Sequence, residues 1–212
     1  MTSSMTADRF QDIKKQRRLI AKQRRQLSIF QLRQAEQKVL QRLKNDAKIN
    51  HAQHIGIYLD AFGEIPTRQF ITYLLSQKKS VYLPKICSMN QRLLWQKISI
   101  NQLRQQRFYK HRLGMFESAL GRATNTQKLD IIIMPLVLFD HFGQRVGMGG
   151  GYYDRTLSRY PYLPYRLALA HDFQCVAEKL IQQKWDENIN AVCTPTHFYR
   201  FKPHFSKTRS HL

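Results

Sequence analysis

The sequence is short of acid. Fourteen Asp and Glu residues face 35 Lys and Arg residues in a chain of 212, a formal net charge of +21. Between Ile65 and Phe116 there is no acidic residue at all. Such an imbalance steers anions toward the surface, and it speaks to partners rather than to chemistry. Nucleic acids, nucleotides and polycarboxylates all satisfy it. Cysteine is also sparse: Cys87, Cys175 and Cys193 are too widely spaced for a disulfide framework or a metal pattern. Free thiols in a reduced compartment are the expectation. No apolar run reaches the roughly 18 residues that a membrane helix needs. The longest, Ile131 to Phe139, is interrupted by Pro135 and reads as a buried strand and its exit. Met1 to Phe10 is polar and lacks the apolar core of a secretion signal. These absences predict a cytoplasmic chain without a membrane partner. Internal repeats and low-complexity linkers are absent too. The length suits a single α/β domain over 1–212, with a basic helix over about 10–45, a core over about 50–200 and a loose tail from about 204.

What is present begins with that helix. Residues 10–45 contain no Pro or Gly and are dense in Gln, Arg, Lys and Leu. Ile13, Ile20 and Leu27 recur every seventh residue and mark an inward stripe. Arg17 and Arg24 follow Ile13 and Ile20 by four residues, so they share or border that stripe. A cation placed there needs a partner. Lys14, Arg18, Lys22 and Arg25 form a neighbouring basic row, and Ser28 is placed to end one helix and cap the next.

Beyond the helix the pattern alternates. Short apolar strands are expected at 54–59, 80–84, 93–98, 130–134, 165–170 and 189–193. Helices are expected at 67–77, capped by Thr67, at 152–160 and at 175–182, and 99–128 reads as irregular and basic. Strand and helix units in alternation predict a three-layer sandwich, with a mostly parallel central sheet flanked by helices. Trp95 and Trp185 read as packing residues, and His171 with Asp172 as a surface pair.

One segment is chemically specific. In Asp130 to Arg155, DIIIMPLVLFDHFGQRVGMGGGYYDR, the glycines Gly147, Gly149, Gly150 and Gly151 follow a buried strand and precede a helix. Glycines there permit positive φ and close approach of backbone to a ligand, and free amides at a helix start point toward an anion. The spacing is neither a P-loop nor a dinucleotide fingerprint. Arg145 adds a cation, Asp154 a candidate magnesium ligand, and Tyr152 and Tyr153 flat surfaces.

The run FDxxGxRxGxGGGYYDR, here Phe139 to Arg155, resembles the signature of the 5-formyltetrahydrofolate cyclo-ligase family, also called 5,10-methenyltetrahydrofolate synthetase. Tyr58 to Thr67 (YLDAFGEIPT), Val81 to Ile86 (VYLPKI) and Leu113 to Glu117 (LGMFE) resemble further family segments in the same order. The likeness spans roughly residues 13–193.

That resemblance implies an enzyme that uses ATP and Mg2+ to cyclise 5-formyltetrahydrofolate, polyglutamylated forms included, acting as a monomer without need of nucleic acid. ATP would be held by a cation pair on the first helix, drawn from Lys14, Arg17 and Arg18, and by Arg145, Val146, Gly147, Met148, Gly149, Gly150, Gly151, Tyr152 and Tyr153. Folate would meet Leu59 and Glu64 together with Met148 to Tyr152. Arg145 and Tyr152 are the catalytic candidates. Asp154 matches a magnesium ligand, and a second family ligand falls at Asn190, with Asp186 close enough in sequence to replace it. In the implied mechanism the formyl oxygen attacks the γ-phosphate, and ring closure expels phosphate. Two other readings remain: a basic RNA- or DNA-binding protein, and a nucleotide-binding relative without catalysis.

Overall fold

The structure is a computed structural model that describes residues 2–111, 116–118 and 122–202, with side chains from Gln11 onward. Two helices, α1 (Thr2–Arg25) and α2 (Ile29–Lys44), cover the helical stretch expected over 10–45, with the break where Ser28 was placed to cap the second. Ser28 divides them. Its hydroxyl accepts from Gln31 N (3.2 Å), while Gln31 Oε1 accepts from Ser28 N (2.9 Å). This reciprocal capping box satisfies two of the amides that a helix start leaves open. A short helix α3 (Ala47–His51) follows, then β1 (His54–Ile57), α4 (Arg68–Ser76), β2 (Ser80–Ile86) and β3 (Leu93–Ile98).

The stretch expected to be irregular carries α5 (Ile100–Arg104), β4 (Phe108–Lys110), β5 (Phe116–Ser118) and β6 (Ala123–Thr124). Most of the LGMFE segment, residues 113–115, and the tail from 204 lie outside the described residues. Then come β7 (Ile131–Pro135), β8 (Leu138–Asp140), β9 (Arg145–Val146), α6 (Tyr152–Leu157), β10 (Tyr165–Leu169), β11 (Cys175–Val176), β12 (Ala191–Cys193) and β13 (Phe198–Arg200).

Eight strands form the central sheet in the order β13-β12-β10-β7-β1-β2-β3-β6. The five from β12 to β2 run parallel, and β13, β3 and β6 are antiparallel additions. Alternate residues of each strand enter opposite layers. Ile131, Ile133, Leu167, Leu169 and Cys193 pack with Val39 and Leu43 of α2 and Phe70 and Leu74 of α4. Ile132, Met134, Ala168 and Val192 pack with Trp95, Phe139 and Leu157 on the other face. Strands buried on both faces read as continuous apolar runs, which is why β7 was legible. The three-layer expectation therefore holds. Among the described residues, no helix is long and apolar enough to cross a membrane.

One expected helix, over 175–182, does not form. Gln174 is buried there and donates through Nε2 to Leu136 O (2.8 Å) and Val137 O (3.0 Å). Asp140 Oδ2 accepts from Leu180 N (2.9 Å). Such side-chain bonds to backbone compete with a helical ladder. The segment instead adds β11 to a small sheet, β11-β8-β9.

Candidate active site

From β1 the chain moves outward to β2, whereas from β7, its other neighbour, the chain moves the opposite way to β10. Adjacent parallel strands whose connections diverge leave a crevice at their carboxyl ends. A cavity of about 870 Å³ opens there. Tyr58 and Leu59 enter it from the end of β1, and Pro135 and Leu136 from the end of β7. Helix α1 forms one wall. Ile13 and Ile20 seat it against Val137, Leu138 and Leu180, so the apolar stripe fixes which way Arg17 and Arg24 point.

Arg24 is 1% exposed. Its Nε donates to Phe62 O (3.0 Å) and its Nη1 to Leu136 O (3.0 Å). Nη2 has no hydrogen-bond partner and stands 3.6 Å from Glu64 Oε1. Glu64 accepts from Ala61 N through Oε2 (3.0 Å). Burial pushes its carboxyl up to about 7, against the opposing pull of Arg24 and the Ala61 amide. The loop that presents Glu64 is pinned from several sides. His171 Nε2 donates to Gly63 O (3.0 Å), Tyr58 Oη to Ile65 O (3.1 Å), and Thr67 Oγ1 to Tyr58 O (2.8 Å). Thr67 therefore closes this loop rather than capping α4 with its side chain. His171 is buried in the same network, not part of a surface pair, and burial lowers its pKa.

The glycine segment forms the opposite wall. Gly149 (φ 98°) and Gly151 (φ 65°) occupy the left-handed region, where any Cβ is strained. Gly151 is also the N-cap of α6, which spans only six residues instead of the nine expected. A Cβ on Gly149 would lie 3.1 Å from Arg17 Nη1, so the Arg17 guanidinium rests against the loop backbone. Arg145 leads into the segment. Its Nη2 binds Asp154 Oδ1 (2.8 Å), and its Nη1 donates to Glu187 O. Glu187 N donates to the same Asp154 oxygen (3.1 Å). Asp186 also lines the cavity. Burial raises its pKa, and the nearby Asp154 charge adds to that rise.

The sequence candidates are thus mostly brought together. Lys14, Arg17, Leu59, Glu64 and the whole run from Arg145 to Asp154 line this one cavity. Arg18 is exposed on α1 and does not line it. Asn190 stands apart. Its Oδ1 accepts from Arg166 N (2.7 Å), and it lines a second cavity of about 960 Å³ at the amino ends of the strands. Its amide is occupied in joining β10 to the start of β12. Trp95 is fully buried as expected, but Trp185 is 64% exposed and lines the first cavity. The sequence reading assigned no ligand role to Arg24, although its place on the apolar stripe marked it as a cation in need of a partner. Gln183 and Trp185 carried no comparable signal.

Among the described residues, no cluster of three or more His, Cys, Asp or Glu could hold a metal. Asp154 and Asp186 offer two carboxylates in the cavity. Magnesium bound to phosphates commonly takes one or two carboxylates and completes its shell with water, so this donor set fits that ion.

The sequence matches the profile of the 5-formyltetrahydrofolate cyclo-ligase family over residues 2–195. It is similar to the 5-formyltetrahydrofolate cyclo-ligase of Escherichia coli (strain K12), with 34% identity over 181 residues, 84% of this chain and 97% of that protein. The corresponding protein of Haemophilus influenzae is 35% identical over 173 residues, 79% of this chain and 89% of its own. Among solved structures, the 5,10-methenyltetrahydrofolate synthetase of Aquifex aeolicus superposes with a TM-score of 0.76 at 25% identity, covering 93% of this chain and 97% of that one. Nearly the whole length takes part in these matches, and the chain belongs to the 5-formyltetrahydrofolate cyclo-ligase family.

Proposed function

We propose that this chain closes 5-formyltetrahydrofolate to 5,10-methenyltetrahydrofolate at the expense of ATP, releasing ADP and phosphate. The observation that carries this reading is one cavity with a largely buried carboxylate, Glu64, at one end and a cation-flanked glycine wall along its length. Lys14 and Arg24 both line it from α1, and the ten residues between them correspond to about 15 Å of helix rise. That span seats a pterin ring at one end and a triphosphate at the other.

Glu64 suits the pterin. An ionised carboxylate accepts from the 2-amino group and N3–H at once. Leu59 and Tyr58 line the same end. The backbone from Val146 to Tyr153, with Arg17 and Lys14, suits the phosphates of ATP. Arg145 and Tyr152 are the groups assigned to the transferring phosphoryl. The formyl oxygen attacks the γ-phosphorus and ADP departs. N10 then attacks the formyl carbon, loses its proton, and phosphate leaves as the ring closes. The protein's tasks are positioning and charge neutralisation, so no side-chain nucleophile is required. Asp154 and Asp186 would hold magnesium, which when bound supplies further neutralisation of phosphate charge.

Purified protein mixed with 5-formyltetrahydrofolate, ATP and magnesium is expected to develop the near-ultraviolet absorbance of the methenyl product, and ADP in place of ATP is expected to give none. A flat trace from folded protein that still binds ATP would contradict the proposal.

A further inference from the structure

Glu64 accounts for only part of the pterin edge it is proposed to meet. That edge presents three groups in order: the 2-amino donor, the N3–H donor and the 4-oxo acceptor. A carboxylate can take the two donors, and the oxygen beside them then needs a donor of its own, because an unpaired buried polar atom is costly.

Arg24 carries such a donor. Its guanidinium lines the cavity and is 1% exposed. Two of its nitrogens are committed: Nε to Phe62 O and Nη1 to Leu136 O, each at 3.0 Å. These bonds come from the loop after β1 and the exit of β7, so they hold the planar group in one orientation. Nη2 is the remainder. It has no hydrogen-bond partner, and its 3.6 Å separation from Glu64 Oε1 is an ion-pair contact rather than a hydrogen bond. A buried donor left open beside a carboxylate that is 11% exposed matches the missing part of the pattern.

We propose that Arg24 Nη2 donates to the 4-oxo oxygen of the pterin, so that Arg24 and Glu64 together read its donor, donor, acceptor edge. The inference rests on the reading of this cavity as a folate site. It makes Arg24 a specificity-determining residue: a ligand carrying an amino group at that carbon would set a donor against a donor. A purely structural tie between α1 and the two strand exits needs only Nε and Nη1, and it is indifferent to the substituent on the ligand.

Folic acid and aminopterin differ at that carbon, oxo against amino, and at the adjoining N3, which carries a hydrogen only in the oxo form, and both can be tested as competitors of 5-formyltetrahydrofolate. The wild-type ratio of their inhibition constants sums both differences, and the share that belongs to Arg24 is read by removing it. In Arg24→Met that ratio is expected to shift roughly 10- to 100-fold in favour of aminopterin, the worth of one charged hydrogen bond, with KM for ATP unchanged. A ratio that survives unchanged in Arg24→Met would overturn the assignment. If Arg24→Met does not fold, Arg24→Lys decides the matter, because an ammonium drawn to Phe62 O and Leu136 O no longer presents the fixed Nη2 donor and the same shift in the ratio is expected. Competition by neither compound, with ATP binding intact, would instead overturn the folate reading on which the inference rests.

Discussion

Arg24 and Arg166 are both buried arginines, at opposite ends of the same parallel sheet. Arg166, 6% exposed, opens β10 at the amino ends of the strands and lines the second cavity. Its Nη1 donates to Glu187 Oε2 (2.8 Å) and Asn188 O (3.1 Å), and its Nη2 to Leu157 O (3.3 Å) and Tyr160 O (2.8 Å). Arg24, at the carboxyl ends, has two carbonyls, a carboxylate at 3.6 Å and one open nitrogen. Burying a cation is expensive unless acceptors replace its water. At Arg166 the protein supplies four from its own chain, and the result is a structural tie. At Arg24 it stops short, beside a carboxylate whose pKa burial has raised to about 7. Cavity size does not separate the two ends, since about 870 and 960 Å³ are nearly equal. Unfinished hydrogen bonding does, and it marks the end of the sheet where a ligand belongs.

Substitutions at the two ends should therefore fail in different ways. The largest effect is expected from Glu64→Gln, which loses an acceptor for two pterin donors. We expect kcat/KM for 5-formyltetrahydrofolate to fall on the order of 10³-fold, while ATP affinity measured by calorimetry stays unchanged. Arg145→Ala is expected to lower kcat by roughly 10²-fold, the usual cost of removing one donor to developing charge; an effect confined to KM would place Arg145 outside the phosphoryl site. Arg166→Met should reverse the pattern. It leaves Glu187 without its partner and is expected to cost about 3 kcal/mol of unfolding free energy in urea titration, with folate affinity unchanged for the protein that remains folded, since Glu187 touches Arg145 and Asp154 but not Glu64.

A pH profile sharpens the same contrast. Only the ionised form of Glu64 accepts two hydrogen bonds, and its pKa lies at about 7. The profile of kcat/KM for the folate should rise with pH, levelling above about 7 and falling on the acid side. The acid limb should vanish in Glu64→Gln. The smallest effect is expected from Asn190→Ala, which removes an acceptor from Arg166 N. A stability loss of about 1 kcal/mol is anticipated, with the magnesium dependence of turnover unaltered; a shifted dependence would restore Asn190 as a metal ligand.

The contrast also explains what could be read in advance. Periodicity disclosed β7 because a strand buried on both faces is apolar throughout, and it disclosed the inward stripe of α1 because Ile13 and Ile20 sit on one side of a helix. The glycine wall was legible because Gly149 and Gly151 need backbone angles that other residues resist. The irregular path over 175–182 was not, since it depends on Gln174 reaching Leu136 O and Val137 O across 38 and 37 residues. Asn190 was misplaced for a similar reason: sequence order cannot tell which end of the sheet a residue faces. Trp185 looked like core because tryptophan usually is, whereas here the indole stands at the rim of the cavity.

Hydrogen exchange, followed by mass spectrometry with and without ATP and 5-formyltetrahydrofolate, tests most directly which end of the sheet works. Protection is expected in the peptides that carry Arg17 to Arg24, Tyr58 to Glu64 and Arg145 to Asp154, and not in those around Lys48 to His54 and Tyr162 to Arg166. Protection at the Arg166 end, with none around Glu64, would contradict the account.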